Sequence, residues 1–456
     1  MPADRAGQAD PSPIVITVPP PTPNGPLHLG HLSGPFLAAD VAARAARARG
    51  LPTLTVGGLD AHQNYVPAKA AAQGRPVSAV LDEYEGLIRD GLRAARVGYD
   101  LFADPRADGT YRDDVARLLS DLVDSKAIAV AEATLFRCGG CGITLHHAYV
   151  AGRCPGCGSD SAGGTCESCG IFTTAENLAD AHCARCGGPP VPFEADVPLI
   201  RLEAYRAELA ETWARAIIPV RVRSVLGHYL AVGLPEVPLA YPTDWGIPGG
   251  GEGQRIDVWA EMALGMLAGI GRKLNPEART MDEYLAAWKR AGEFWHFLGI
   301  DNAFYYAVLF PAMFAAAGLE PGWLSGLVVN GFYRLDGLKF STSRGHAIWA
   351  HEFLVEEDPA VVRMFMLWDR PDRYESGFTL PAYAQFRDWV QAAIQSGGEL
   401  PSELAGAEIR RAWHALEFAS FDPGLALRCL LAAGTHRAPL LFGALTGADS
   451  EPSSPA

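Results

Sequence analysis

No uninterrupted apolar run in the 456-residue chain comes near the roughly 20 residues that a membrane helix requires, so no membrane span is expected. Basic charge is scarce. Lys and Arg number 38 against 52 Asp and Glu, giving a net charge of −14. That argues against a general nucleic-acid coat but leaves room for a local basic patch. Met1 to Pro13 is polar and Pro-rich and has no apolar signal-peptide core, so a cytoplasmic protein is expected. Cysteine is nearly missing from most of the chain: of nine, only Cys429 lies outside the window 138–186. In Leu-Ala-Leu-Arg-Cys-Leu-Leu it reads as a core residue. Apolar residues make up 49% and charged residues 20%, which excludes a wholly disordered chain and, by length, predicts two to four domains.

The other eight cysteines form four C-x-x-C pairs: Cys138/Cys141, Cys154/Cys157, Cys166/Cys169 and Cys183/Cys186. A C-x-x-C turn aims two thiolates at one ion, and two turns complete a tetrahedral Cys₄ site. Eight thiolates therefore suffice for two Zn²⁺. Four thiolates leave no open coordination position, so the role is structural. The competing reading is a disulfide framework, which needs an oxidising compartment. Spacing alone leaves the pairing of the knuckles open.

Around this block the pattern is α/β. Ile14–Val18 is a β-branched run fit for a buried parallel strand; a Pro/Gly turn, an Ala-rich helix over Leu32–Arg49 and an apolar run over Leu51–Val56 follow. Helices are expected over Ser78–Arg96, Asp113–Ala127 and Tyr284–Phe297, and strands over Arg255–Trp259 and Leu324–Phe332. Beyond about residue 355 the chain turns helical. The expected division is a disordered 1–13, a first Rossmann half over 14–130, a zinc-knuckle insertion over 131–195, a second Rossmann half over 196–355, a short helical domain over 356–446 and a disordered 447–456.

Two segments carry chemistry. Pro23-Asn24-Gly25-Pro26-Leu27-His28-Leu29-Gly30-His31 lies between the first strand and first helix, where helix N–H groups and two imidazoles can hold a polyanion. Gly30 lets a base or phosphate approach the backbone. The bland reading is a turn with two surface histidines. Asp336 to Gly345 is a glycine-flanked loop with one Lys, three hydroxyls and one Arg that can close over a triphosphate; the bland reading is a solvated loop.

Together these segments resemble the methionyl-tRNA synthetase family of class I aminoacyl-tRNA synthetases. His28-Leu29-Gly30-His31 resembles the HIGH motif, and Lys339-Phe340-Ser341-Thr342-Ser343 the KMSKS loop. The four-knuckle block resembles the family's zinc-bearing insertion, with Cys166-Glu167-Ser168-Cys169-Gly170 its C-E-x-C-G knuckle. Gly58-Leu59-Asp60-Ala61-His62, Trp245-Gly246-Ile247-Pro248, Val258-Trp259 and His296-Phe297-Leu298-Gly299-Ile300-Asp301 resemble further family segments, in order, over about residues 14–380. The resemblance implies ATP with Mg²⁺, attack of an amino-acid carboxylate on the α-phosphate, and an aminoacyl-adenylate product. It implies that His28 and His31 hold ATP phosphates, and that Lys339, Ser341 and Thr342 hold the pyrophosphate. Asn24, Gly30, Gly299, Asp301 and Val328 would line the nucleotide site, and Asp60 would receive the substrate ammonium. It also implies nested knuckles, the two inner pairs sharing one ion and the two outer pairs the other.

Departures from the family decide between functions. Thr342 stands at the second KMSKS lysine, where some class I synthetases also carry a small residue. In the amino-acid pocket Trp259 is kept, but Thr22 stands for a tyrosine. Met262-Ala263 and Met266 stand for Ala-Pro and a tyrosine, Asn302 for an isoleucine and Tyr306 for a histidine; Tyr241 replaces an arginine. A thioether pocket has no need of a buried amide, so Asn302 needs a partner in substrate, water or protein. About 110 residues follow the KMSKS-like loop, and residues 399–451 hold four Arg against seven acidic side chains, net −3. An anticodon reader normally offers basic groups and stacking aromatics. Trp413, at helical spacing, reads as core. The expectation is a monomeric ligase of specialised metabolism. It adenylates an amino acid other than methionine and passes it to a small amine or hydroxylamine, with tRNA not the favoured acceptor. Similar stand-alone or cupin-fused relatives take part in nitrogen–nitrogen bond formation, and since this chain has no cupin such chemistry would need a separate partner enzyme. The alternatives are a methionine–tRNA ligase with a shortened anticodon domain, and a non-enzymatic paralog.

Overall fold

A computed structural model describes residues 12–340, 345–372, 375–398 and 400–448. Five short apolar segments become parallel strands: β1 (Ile14–Thr17), β2 (Thr53–Gly58), β3 (Leu101–Ala103), and, after a long interruption, β6 (Glu293–Gly299) and β7 (Gly326–Asn330). Between β3 and β6 the chain forms two further long strands, β4 (Ala129–Cys138) and β5 (Pro190–Arg201). The parallel sheet has the order β7-β6-β1-β2-β3. That is a doubly wound Rossmann order with its topological switch between β1 and β6, the place where such sheets bind ligands beyond their carboxyl ends. β1 is central and buried, with Val15 and Ile16 almost fully inaccessible, as its β-branched run requires.

Two expectations fail. The helix expected over Tyr284–Phe297 ends at Trp288, and Phe294 to Phe297 lie in β6. The helix closes at Trp288 with Lys289 as its C-cap, and the aromatic run after Gly292 alternates between the two core faces of the sheet. The strand expected over Arg255–Trp259 stops at Ile256. Asp257 then caps a 17-residue helix, Val258–Leu274, by accepting from the Trp259 N–H at 2.9 Å. The first helix also differs. Leu32–Phe36, which contains Gly34 and Pro35, is a π turn, and regular helix starts at Leu37. Residues 1–11 and 449–456, expected to be disordered, lie outside the described residues.

The insertion is a long antiparallel ribbon. β4 pairs with β5 from Ala129↔Leu199 to Cys138↔Pro190, and the cysteine block sits at its far end. From there the chain folds back, so that the Phe172 N–H donates to the Tyr229 hydroxyl at 2.7 Å on the main body. C-terminal helices follow at Pro359–Trp368, Leu380–Ser396, Ser402–Ala415, Pro423–Ala433 and Pro439–Thr446. They pack against the first helix and β6, Cys429 among them, with Trp413 partly buried against the same cluster. Ile300–Ala317 is apolar enough to cross a membrane by length and composition, but 72% of it is buried in the core.

Candidate functional site

The carboxyl ends of β1, β2 and β6, neighbours in the sheet, each lead into a polar group. After β1 the chain reaches His28, whose main chain is held by the stretch Ile348–Ala350. The Leu29 N–H donates to the Ile348 carbonyl at 3.0 Å, and the Ala350 N–H to the Leu27 carbonyl at 2.8 Å. His28 and His31 cap each other. The His28 N–H donates to His31 Nδ1 at 3.1 Å, and the His31 N–H to His28 Nδ1 at 3.3 Å. Their rings stack with centroids 3.7 Å apart. Burial holds His28 well below the usual imidazole range, aided by its neighbour His31, and lowers His31 to about 4. Both rings are therefore neutral near pH 7. Because each Nδ1 accepts, each Nε2 carries the proton. The arrangement thus fixes two N–H donors, as anion stabilisation requires. Gly30 makes the stack possible: a Cβ there would lie 3.0 Å from the His28 imidazole and 3.1 Å from Phe340.

After β2 comes Asp60. Its Oδ2 accepts from the Thr22 hydroxyl at 2.8 Å, while its Oδ1 is buried with no partner. Burial pushes this carboxyl up to about 7, against the Thr22 hydrogen bond and with help from the nearby Glu261. Glu261 is itself buried and pairs with His62 at 2.9 Å. An unpaired buried carboxylate oxygen beside a polyanion site is a natural receptor for an ammonium. Thr22, expected at the amino-acid side chain, serves here to orient that carboxylate.

After β6 come Gly299, Asp301 and Asn302, with Val328 beside them on β7 opposite Phe297. Burial raises Asp301 to about 6, and the charge of Glu167 adds to the rise. Asn302 follows it, partly buried. Asn24 is partly buried in the turn before the histidines, its N–H bonded to the Thr22 carbonyl at 2.8 Å. Lys339 sits in a hairpin whose turn, Asp336-Gly337, has φ of 48° and 78°, the left-handed pair that tight hairpins demand. Its ammonium lies 4.4 Å from the Phe332 ring and pairs with Glu167, a residue of the third knuckle. Ser341 and Thr342 lie outside the described residues.

The third knuckle therefore belongs to the site wall. The Thr165 hydroxyl donates to the Asp301 carbonyl at 2.6 Å, and a Cβ on Gly170 would lie 3.1 Å from the Ile300 carbonyl. Behind it, Trp259 stacks on Tyr305 at 3.4 Å, with Met266 packed against the same cluster and Tyr306 fully buried in it. His147, from the insertion, bonds Asp257 at 2.5 Å, anchoring the start of the Trp259 helix. Spacing offered no signal for His147–Asp257 or Glu167–Lys339, since the partners are far apart in sequence.

The eight knuckle thiols gather as two quartets, Cys138/Cys141/Cys183/Cys186 and Cys154/Cys157/Cys166/Cys169, all sulfurs within 4.8 Å of one another in each. Neighbouring Sγ atoms lie 3.3 and 3.8 Å apart in the first and 3.6 Å in the second. A tetrahedron with Zn–S of about 2.3 Å has S···S edges of about 3.8 Å, so both quartets could hold Zn²⁺. This is the nested pairing implied by the resemblance.

The family model for tRNA synthetases class I (M) matches residues 14–387. The methionine–tRNA ligase of Porphyromonas gingivalis is 30% identical over 378 residues, covering 80% of this chain and 54% of that protein. That of Thermomicrobium roseum is 29% identical over 385 residues, covering 82% and 65%. The chain spans about half the length of the first of these relatives and about two thirds of the second. In fold it resembles Mycobacterium tuberculosis methionyl-tRNA synthetase bound by methionyl-adenylate, with a TM-score of 0.69 at 19% identity, covering 95% of this chain and 82% of that one.

Proposed function

Because the chain belongs to the class I tRNA synthetases of the methionyl type, we propose that it activates an amino acid with ATP, giving an aminoacyl-adenylate and pyrophosphate. An oxygen of the amino-acid carboxylate bonds to the α-phosphorus. The bond from that phosphorus to the α,β-bridging oxygen breaks, and its electron pair leaves with pyrophosphate. The carrying observations are the two fixed Nε2–H donors that follow β1 and the unpartnered Asp60 Oδ1 that follows its neighbour β2. His28 and His31 would steady phosphate charge that builds in the transition state, and Asp60 would hold the α-ammonium. Asn24, Gly30, Gly299, Asp301 and Val328 would enclose the nucleotide, and Lys339, with Ser341 and Thr342, would take the pyrophosphate. Mg²⁺ would arrive with ATP on phosphate oxygens and water, since the clusters suited to a metal among the described residues are the two cysteine quartets. Those quartets would hold two structural Zn²⁺ ions that cross-link the insertion.

The acceptor in this reading is a small amine or hydroxylamine, with any later rearrangement left to a separate enzyme, and the ligase works as a cytoplasmic monomer. The net acidic C-terminal region and the replaced pocket residues support it. A second reading, a methionine–tRNA ligase, is favoured by the retained Trp259, by the relatives' activity, and by Trp389, an aromatic 45% exposed on a C-terminal helix. Amino-acid-dependent ATP–pyrophosphate exchange tests both, across the standard amino acids and hydroxylated lysine. Exchange with another amino acid, unaffected by tRNA, supports the first reading. Exchange with methionine alone, with tRNA charging, supports the second. No exchange at all returns the chain to a binding role.

Asp60 makes the amino-acid affinity pH-dependent. With a carboxyl raised to about 7, the free site is protonated below that pH and loses its counter-charge. KM for the amino acid should therefore rise as pH falls below about 7, by up to about tenfold per unit. Asp60→Asn should flatten this profile and raise KM at pH 8. Glu167→Gln should free Lys339 and lower KM for ATP about two- to fivefold, as suits a solvent-exposed ion pair; an unchanged KM would show that the pair gives way to ATP at no cost.

A further inference from the structure

On the adenylation reading, Tyr306 stands at the floor of the amino-acid pocket. Tyr306 is fully buried, and its hydroxyl has no hydrogen-bond partner. His296 is fully buried beside it, rings edge-on with centroids 5.1 Å apart, and its Nε2 also has no partner. The two do not bond each other. Each is fixed by packing: His296 Nδ1 is bonded to the Thr17 hydroxyl on β1, and Tyr306 packs on Phe310 at 4.7 Å, which in turn faces Trp259 at 6.4 Å. The Asp60 carboxylate is near enough to raise the Tyr306 hydroxyl beyond the effect of burial. So the Tyr306 hydroxyl lies in the same cluster as the pocket tryptophan and within electrostatic reach of the ammonium site, and His296 adjoins it. Tyr305 differs: a Cβ on Gly164 would lie 2.8 Å from its hydroxyl, which places it toward the insertion.

A buried polar group without a partner costs about 1–3 kcal/mol, and two side by side are expected only where something else pairs with them. A thioether or hydrocarbon side chain would leave both unpaired. A carboxylate would meet the acidic pair Asp60 and Glu261, and an ammonium would find no acid at the floor, where burial holds His296 neutral, down to about 3. Resting on the adenylation reading above, we infer that this pocket selects an amino acid with a neutral polar side chain, a hydroxyl or carboxamide, hydrogen-bonded by Tyr306 and His296.

The test is pyrophosphate exchange with matched pairs, threonine against valine and glutamine against methionine, for the full chain and its Tyr306→Phe variant. That substitution conserves volume and removes one oxygen. A hydroxyl or carboxamide member should be preferred about 10²-fold or more, since a site built to bond a polar group rejects the analogue that lacks it. Tyr306→Phe should lower kcat/KM for the polar member at least about tenfold, narrow the preference and leave KM for ATP unchanged. Exchange confined to methionine or another apolar amino acid, or a preference untouched by Tyr306→Phe, would overturn the inference while adenylation stands. Exchange with no amino acid would remove the adenylation reading itself.

Discussion

His31→Ala should reduce amino-acid-dependent pyrophosphate exchange by about 10²–10³-fold, the usual cost of one preorganised donor to developing charge. The variant also strips the His28 N–H of its acceptor, and loss of a helix cap costs about 1 kcal/mol. Catalytic and structural effects can be separated. Glu is the customary partner in a reciprocal cap, so His31→Glu keeps an acceptor for the His28 N–H but places negative charge against phosphate. It should melt close to the parent temperature and be as inactive as the alanine variant. Exchange at the parental rate in either variant would remove the histidine pair from the phosphate site. A melting loss that tracks the activity loss in both variants would assign the pair to the fold alone.

The same pair shows where sequence reading works and where it stops. The residue types and spacing of His28 and His31 pointed to phosphate. The proton positions did not follow from spacing; they follow from the reciprocal Nδ1 acceptors and burial, both tertiary facts. Asp60 entered as an ammonium receptor only through the family resemblance, with the charge of a carboxylate as its physical reason. Thr22 was legible only as a departure, and its hydrogen bond to Asp60 gives it a different task from the one expected. The boundary of β6 failed for a simpler reason: Tyr284 to Phe297 carries enough apolar residues to satisfy either period, and only the short break after Trp288 separates helix from strand. His296 and Tyr306, ten residues apart, lie on a strand and on the π turn after it. Their unsatisfied atoms can be seen only once both are buried.

Loss of the inner cysteine quartet should be far more damaging to catalysis than loss of the outer one. Closed Cys₄ sites predict structural ions, whose removal, on the sequence alone, would destabilise the knuckle block without directly blocking chemistry. The fold separates the two quartets. Cys138, Cys141, Cys183 and Cys186 lie at the far end of the β4–β5 ribbon, whose ladder runs back to the body from Cys138↔Pro190. Cys154, Cys157, Cys166 and Cys169 bracket Thr165 and Glu167, which hold the Asp301 carbonyl and Lys339. A structural zinc contributes about 10–16 kcal/mol of folding free energy to its knuckle, so the inner loop has no comparable substitute if its ion is lost. Cys166→Ser should drop metal content from two Zn²⁺ to one and lower exchange about 10²-fold, because misplacing a positioning group by about 1 Å is enough for that. Cys183→Ser should also lose one ion yet keep exchange within about tenfold, its damage spread along the ribbon. Metal analysis beside exchange kinetics separates these outcomes. Equal losses from both variants would mean that the insertion unfolds as one unit. Full activity with one ion missing from the inner quartet would mean that the site is assembled without the knuckle, and that Glu167 and Thr165 rest against it without holding it.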